Sequence, residues 1–346
     1  MPAQVDTRPL PLPEHYDPAH AFEASYAVGD AAALEHEATA WRERHDLRPA
    51  HQDGPKVVLL MIDFQVDFAF PEGALFVAGR SGRGGMEAAD RLARFVYRHL
   101  RALTEIRSTM DTHFPFQVFH PCAHLTQDGR HPDPNTVVSA REYRDGVYRA
   151  NPAMAAALGR DPDWLQRQFV HYCERLEASG KYQLFLWPYH CLLGGTGHRL
   201  AGVIEEARLF HGFARETRNR IELKGGHPLT EDYSAFSAEV DTLFTGEPVA
   251  EAQPNTALMD ELLSADRLLV GGLASSHCLK TSVMDLLAYS REHDPALARK
   301  VTVLRDCTAP VVVPEGQDFT DEAEQAFDRF QEAGMRVVDS AEAFAE

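Results

Sequence analysis

Six side chains capable of covalent or metal chemistry stand at the ends of short apolar runs in this sequence. Asp63 follows KVVLLMI, Asp111 and His113 close IRSTMDTH, His190 comes three residues after QLFLW, Lys224 ends RIELK, and Cys278 follows RLLVGGLASSH. A thiol at a strand-to-helix junction lies near unpaired helix N–H groups, which lower its pKa and favour the nucleophilic thiolate. A carboxylate and an imidazole two residues apart in an extended segment point to the same side, a spacing suited to holding a metal ion. Each group also has a plainer use. Asp63 can cap a turn, His190 and Lys224 can be polar strand ends, and Cys278 can be an inert buried thiol. Their common placement is the informative feature, because open parallel sheets gather reactive groups at the carboxyl ends of their strands.

The elements that must position them are short and alternate in kind. KVVLLMIDF is a nearly continuous apolar run, as expected of a strand buried on both faces of a parallel sheet. IRSTMD, QLFLW, RIELK, RLLVGGL, KVTVLRD and MRVVD read as further strands. Helical periodicity falls at Glu87–Leu103, Gly197–Phe210, Ser276–Glu292 and Asp321–Ala333. Strands alternating with helices of this length predict βαβ units, hence an α/β, doubly wound, mostly parallel sheet with helices on both faces.

Two segments stand outside that rhythm. Residues 1–55 form a Pro-rich, acidic N-terminal extension with one helix, Asp30 to Asp46, in which Leu34, Ala38 and Trp41 recur at helical spacing behind an Asp30 N-cap. This stripe can dock on the chain's own core or on a second copy in a homo-oligomer. Residues 56–346 form the main domain, and Phe114–Lys181 interrupts it as an insertion with turn signals at HPDPNT, Asn151-Pro152 and Asp161-Pro162 and a helix at Asp163–Ala178. Its aromatic residues Phe116, Phe119, Tyr143, Tyr148 and Trp164 argue that it folds rather than staying disordered, and its two ends beside His113 and His190 place it over the pocket mouth.

Composition narrows the partners. The 346 residues carry 34 Lys+Arg against 52 Asp+Glu, a net charge of −18 that repels nucleic acid and anionic lipid. No stretch reaches the roughly 18 apolar residues of a membrane helix, and the N-terminus lacks a signal or transit pattern, so no membrane is expected and the cytoplasm is the expected location. Five widely spaced cysteines (Cys122, Cys173, Cys191, Cys278, Cys307) without CxxC spacing read as free thiols.

IDFQVDF followed by PEGALFV, WPYHC with a glycine turn, ELKG followed by EDYSAF, and GGLASSHCLKTSVMDLL occur here in one order. In that order they resemble the isochorismatase-like cysteine hydrolase superfamily and, within it, the nicotinamidases. The resemblance covers the core from about Lys56 to the C-terminus and leaves the N-terminal extension and the insertion without counterpart. It implies that Asp63, Lys224 and Cys278 form a catalytic triad and that Asp111, His113 and His190 bind one divalent transition metal, zinc first, with iron or manganese as alternatives. It further implies a cis peptide at Leu273–Ala274 and an oxyanion hole made of the Ala274 and Cys278 amides. Some relatives have another His shortly after the DxH pair; His120 lies one residue beyond that offset and stays outside the implied shell.

These roles are chemically coherent. An amide carbon needs a strong nucleophile, a neighbouring carboxylate can take the thiol proton and return it to departing ammonia, and a lysine can hold both by charge. The implied function is a metal-containing amidohydrolase that cleaves nicotinamide or a related small amide through a thioester. An isochorismatase-like hydrolase of another small substrate is one alternative. A homologue that binds a ligand without turnover is the other, and the presence of a nucleophile, a base and a cation at three strand ends argues against it.

Overall fold

The computed structural model describes residues 5–180, 183–313 and 316–345. The outer limits assigned above at residue 1, Lys181 and Glu346 lie outside the described residues. In chain order the strands are β1 Val57–Ile62, β2 Glu105–Asp111, β3 His124–Thr126, β4 Thr136–Val138, β5 Tyr148–Ala150, β6 Leu184–Leu186, β7 Arg220–Lys224, β8 Arg267–Leu273, β9 Val301–Ala309 and β10 Arg336–Val338. The helices are α1 Ala31–His45, α2 Val66–Ala69, α3 Gly84–Arg98, α4 Ala140–Arg144, α5 Pro152–Ala157, α6 Pro162–Ser179, α7 Gly202–Arg215, α8 Thr256–Leu263, α9 Cys278–His293 and α10 Thr320–Glu332.

Six strands form one parallel sheet in the order β10-β9-β8-β1-β2-β7. The chain leaves β1 toward β2 and later returns to its other side with β8, so strand order reverses between β1 and β8, the place where such sheets open a ligand crevice. All six residues of β1 are buried, because helices cover both faces. Val57, Leu59 and Met61 pack with α1, α3 and α7, whereas Val58, Leu60 and Ile62 pack with α8, α9 and α10. Each such side chain fully removed from water stabilises the fold by about 1.5–3 kcal/mol, which fixes β1 at the centre.

The N-terminal residues dock on the chain's own core. The Asp30 carboxylate accepts the N–H of Ala33 at the start of α1, Asp46 ends the helix in the left-handed region, and Leu34, Ala38 and Trp41 pack beside Phe210 of α7. Asp30 thereby satisfies one of the four amides a helix start leaves open.

One strand departs from the sequence expectation. QLFLW supplies β6, but β6 pairs antiparallel with β4 in a separate two-stranded ribbon rather than joining the parallel sheet. Its buried residues Leu184 and Leu186 face a third core with Val118, Phe119, Val138, Tyr143, Leu165, Phe169 and Leu176. The insertion thus folds around its own apolar side chains, with Leu229 and Val240 of the chain after β7 in the same cluster. No described helix is long and apolar enough to cross a membrane, and the five cysteines are free thiols.

Candidate active site

Asp63 is the residue immediately after β1, and it adopts the left-handed region with φ +50. Thr109 of the neighbouring β2 secures it twice, accepting the Asp63 N–H at 3.2 Å and donating its hydroxyl to Asp63 Oδ1 at 2.6 Å. Asp111 ends β2 and stands in register with Lys224 at the end of β7. Cys278 begins α9 after β8, and the peptide Leu273–Ala274 is cis. At Gly272 a Cβ would lie 2.5 Å from Ile62 O, so only glycine lets β8 come this close to the end of β1.

Lys224 joins these strand ends. Its Nζ donates to Asp111 Oδ1 at 3.1 Å and to the Asp232 carbonyl at 2.8 Å. It also pairs with Asp63 Oδ2 at 3.1 Å and lies 3.9 Å from Cys278 Sγ. The Asp63 carboxylate lies near enough to the Cys278 thiol to raise its pKa. The structure therefore brings Asp63, Lys224 and Cys278 together in one buried group.

The charges within this group fix its resting state. Burial opposes the lysine's charge, yet Asp111, Asp63 and Cys278 outweigh it and hold the Lys224 ammonium well above its ordinary pKa. Burial raises the Asp63 carboxyl, with Lys224 pulling the other way. The helix-terminus argument expected a lowered thiol pKa at Cys278, and the structure corrects it. Burial pushes that thiol well up, Lys224 offsets only part of the rise, and the Asp63 and Asp111 charges add to it. A helix terminus acts over about one turn and is worth about 1 kcal/mol or less, whereas full desolvation moves a pKa by several units. The thiol is therefore protonated at rest and needs a base.

Beside this group, Asp111, His113 and His190 offer ligand atoms all within 4.8 Å of one another. His113 Nε2 is 3.0 Å from Asp111 Oδ2 and His190 Nε2 is 3.8 Å from the same oxygen. The other ring nitrogens bind backbone carbonyls, His113 Nδ1 to Gly225 at 2.9 Å and His190 Nδ1 to Pro188 at 2.8 Å. An Nδ1–H donated to a carbonyl fixes the tautomer and leaves the Nε2 lone pair for a cation. Burial keeps His190 neutral by holding its pKa well below the usual value. Burial would raise Asp111, but His113 and Lys224 hold it below the ordinary carboxylate range, so it stays anionic. One carboxylate and two imidazoles form a donor set suited to a borderline divalent transition metal.

His190 reaches this cluster by a route the sequence did not suggest. It does not end a strand of the parallel sheet; the turn after it bridges to the continuation of β2, with the His113 N–H donating to Cys191 O and the Leu193 N–H to His113 O, both at 3.0 Å. His120 lies outside the three-residue cluster, its ring 5.9 Å from that of His113 and 6.1 Å from that of His190, with Nε2 buried and lacking a hydrogen-bond partner.

Other residues of the site were not singled out by sequence. Gln65 is buried beneath Asp111, with Oε1 accepting the Asp111 N–H and Nε2 donating to the Asp111 carbonyl, both at 2.7 Å. Asp232 supports Lys224 through its carbonyl and accepts the Gly225 N–H at 3.0 Å. Trp187 donates to Glu231 Oε1 at 2.7 Å and meets His277 edge-on at 6.2 Å. The amides of Ser275, His277 and Leu279 bond to Ala309 O, Ala274 O and Ala274 O; among the described residues the amides of Ala274 and Cys278 have no such partner.

No family model matches the chain. It is 29% identical to the nicotinamidase of Escherichia coli (strain K12) over 143 residues, which are 40% of this chain and 53% of that protein, so the match spans about half the relative's length. Among solved structures it is similar to the yeast nicotinamidase at TM-score 0.51 and 18% identity, over 82% of this chain and 99% of that one. The nicotinamidase/pyrazinamidase of Acinetobacter baumanii gives TM-score 0.49 at 15% identity, over 84% of this chain and 99% of that one. The six-stranded parallel sheet, its helical layers and the likeness to the yeast structure agree: the protein has the isochorismatase-like α/β fold seen there.

Proposed function

We propose that this protein is a metal-containing cysteine amidohydrolase that converts nicotinamide, or a related small amide, to the carboxylic acid and ammonia. The observation that carries this reading is the position of Lys224 Nζ between Asp63, Asp111 and Cys278, which couples a thiol, a base and a metal-type donor set through one ammonium. The nicotinamidase from Escherichia coli among its relatives directs the choice of substrate.

In this reading Asp63 takes the thiol proton as Cys278 Sγ attacks the amide carbon. The free amides of Ala274 and Cys278 donate to the oxyanion as it forms, where fixed dipoles in a buried site stabilise charge most. Asp63 then protonates the departing ammonia, leaving a thioester that water hydrolyses. Lys224 keeps Asp63 and the forming thiolate charged and in place. Asp111, His113 and His190 would hold the metal, and their two Nε2 atoms and one carboxylate fit it. When bound, zinc, or iron or manganese in its stead, supplies a Lewis acid that orients and polarises a substrate nitrogen.

We read residues 1–55 and 114–181 as additions to a core that begins near residue 56, and the free cysteines favour a cytoplasmic location. The test is ammonia release by the purified protein from nicotinamide, pyrazinamide and simple aliphatic amides. Release from the pyridine amide above the aliphatic ones is the expected result. No release from any amide would leave the ligand-binding homologue as the better reading.

A further inference from the structure

Asp67, the second carboxylate of IDFQVDF, has no role in the mechanism above, yet it touches the turn that carries His190. Its Oδ2 accepts the N–H of Cys191 at 2.6 Å, and its Oδ1 accepts the N–H of Ala74 at 3.0 Å. Cys191 is a non-glycine residue in the left-handed region, φ +47, directly after His190. Such a conformation persists only where surrounding contacts enforce it. The contacts here are Asp67 on its N–H and the His113 N–H on its carbonyl. The neighbouring Phe68 packs its ring 5.7 Å from that of His190. Gly197 closes the arrangement from the far end of the same turn, since a Cβ there would lie 2.0 Å from Asp67 Oδ2.

We propose that Asp67 is a positioning residue that sets metal affinity by pinning the His190–Cys191 turn against the continuation of β2. The inference rests on reading Asp111, His113 and His190 as a metal site. Two backbone N–H donors each take one oxygen of the Asp67 carboxylate, so both of its oxygens are engaged. An amide in its place must turn its NH₂ group toward one of two N–H donors and loses that bond. The turn then relaxes, and His190 Nε2 leaves its place near Asp111 Oδ2. Outer groups that orient metal ligands are worth about 10- to 100-fold in affinity.

The experiment measures the Kd of zinc ion for chelator-stripped full-length protein by competition with a chromophoric chelator. It compares the unaltered chain, Asp67→Asn and Gly197→Ala, with thermal melts of each. Asp67→Asn removes one acceptor at constant size, while Gly197→Ala displaces the same carboxylate without altering it. Both should weaken zinc by about 10- to 100-fold while still unfolding cooperatively. If both variants bind zinc like the unaltered chain, whatever their melting temperatures, Asp67 is only a structural cap and the proposal is overturned. If the unaltered chain binds no zinc, the metal-site reading itself fails, a result separate from an unchanged Kd in the variants.

Discussion

Asp111 and Lys224 stand opposite each other at the ends of β2 and β7, and their side chains pair at 3.1 Å. The candidate metal ligand and the candidate catalytic cation are therefore one salt bridge. Lys224 also pairs with Asp63, so a single ammonium compensates two buried carboxylates. Removing one partner of a buried pair costs about 3–5 kcal/mol, because the charge left behind stays out of water. Lys224→Met should lower stability by about that amount and abolish ammonia release, whereas Lys224→Met with Asp63→Asn should regain much of the stability and none of the activity. Urea melts paired with ammonia assays check this, and a fully stable, active Lys224→Met enzyme would refute the coupling.

Cys278→Ala should leave the fold intact and reduce amide hydrolysis by several orders of magnitude, since it removes the thiol whose Sγ lies 3.9 Å from Lys224 Nζ. Asp63→Asn should be nearly as damaging, because the thiol is held protonated at rest. Retention of about a tenth of the activity in Cys278→Ala would rule out the covalent route.

The sequence displayed the site better than its supports. β1 is legible because burial on both faces demands an unbroken apolar run, and Asp63 is legible because it ends that run. QLFLW misleads because a three-residue strand with Leu184 and Leu186 turned inward has the same pattern in a ribbon as in a central sheet. α8 is only eight residues long, too short for its periodicity to stand out in the sequence. Gln65 and Thr109 escape notice because each acts on a residue 46 positions away, and no local spacing reports such a contact. The raised thiol pKa is invisible in the sequence for a related reason, since depth of burial is a property of the packed molecule.

Chelation tests the division of labour between the two halves of the site. If the cation holds a substrate nitrogen while Asp63 and Cys278 do the chemistry, a chelator should raise KM by about tenfold or more and change kcat much less. Steady-state kinetics before and after chelation, with restoration by zinc, read this directly. Loss of kcat at constant KM would assign the cation to the chemical step instead.

Two buried histidines away from the metal cluster predict the acid response. Burial lowers His211, held between Leu103 O and Asn219, to about 3, and lowers His124 to about 4. Unfolded histidine titrates near 6.5, so below that value the unfolded chain takes up protons that the folded chain refuses. The stability they contribute is complete above about pH 6.5 and is lost as pH falls from there toward the folded values, at about 1.4 kcal/mol per pH unit per group. Urea melts between about pH 7 and about pH 5 should show the decline, and His211→Gln should flatten it by one group's share. An unchanged slope in that variant would mean His211 is protonated in the fold.

The insertion should act on substrate choice rather than on self-association. Phe119 places its ring 4.8 Å from His113, and the Trp187 N–H donates to Phe119 O at 2.8 Å, so the segment's two ends meet beside the metal ligands. Val118 N–H donates to Pro228 O at 2.9 Å, and Leu229 and Val240 share the insertion's core, so the segment rests on the chain that follows Lys224. Its large apolar side chains are mostly spent on these contacts; only Phe114, Val137 and Val147 are exposed among those described, which offers a partner subunit little apolar surface. Replacing residues 124–180 with a short Gly-Ser linker should therefore alter KM and the range of amides accepted at constant oligomeric state. It should also destabilise the fold by the burial lost at Leu229 and Val240, about 1.5–3 kcal/mol for each side chain fully re-exposed. Substrate profiles and light scattering on the same preparation separate the outcomes. An unchanged profile together with loss of an oligomer would identify the segment as a dimerisation arm.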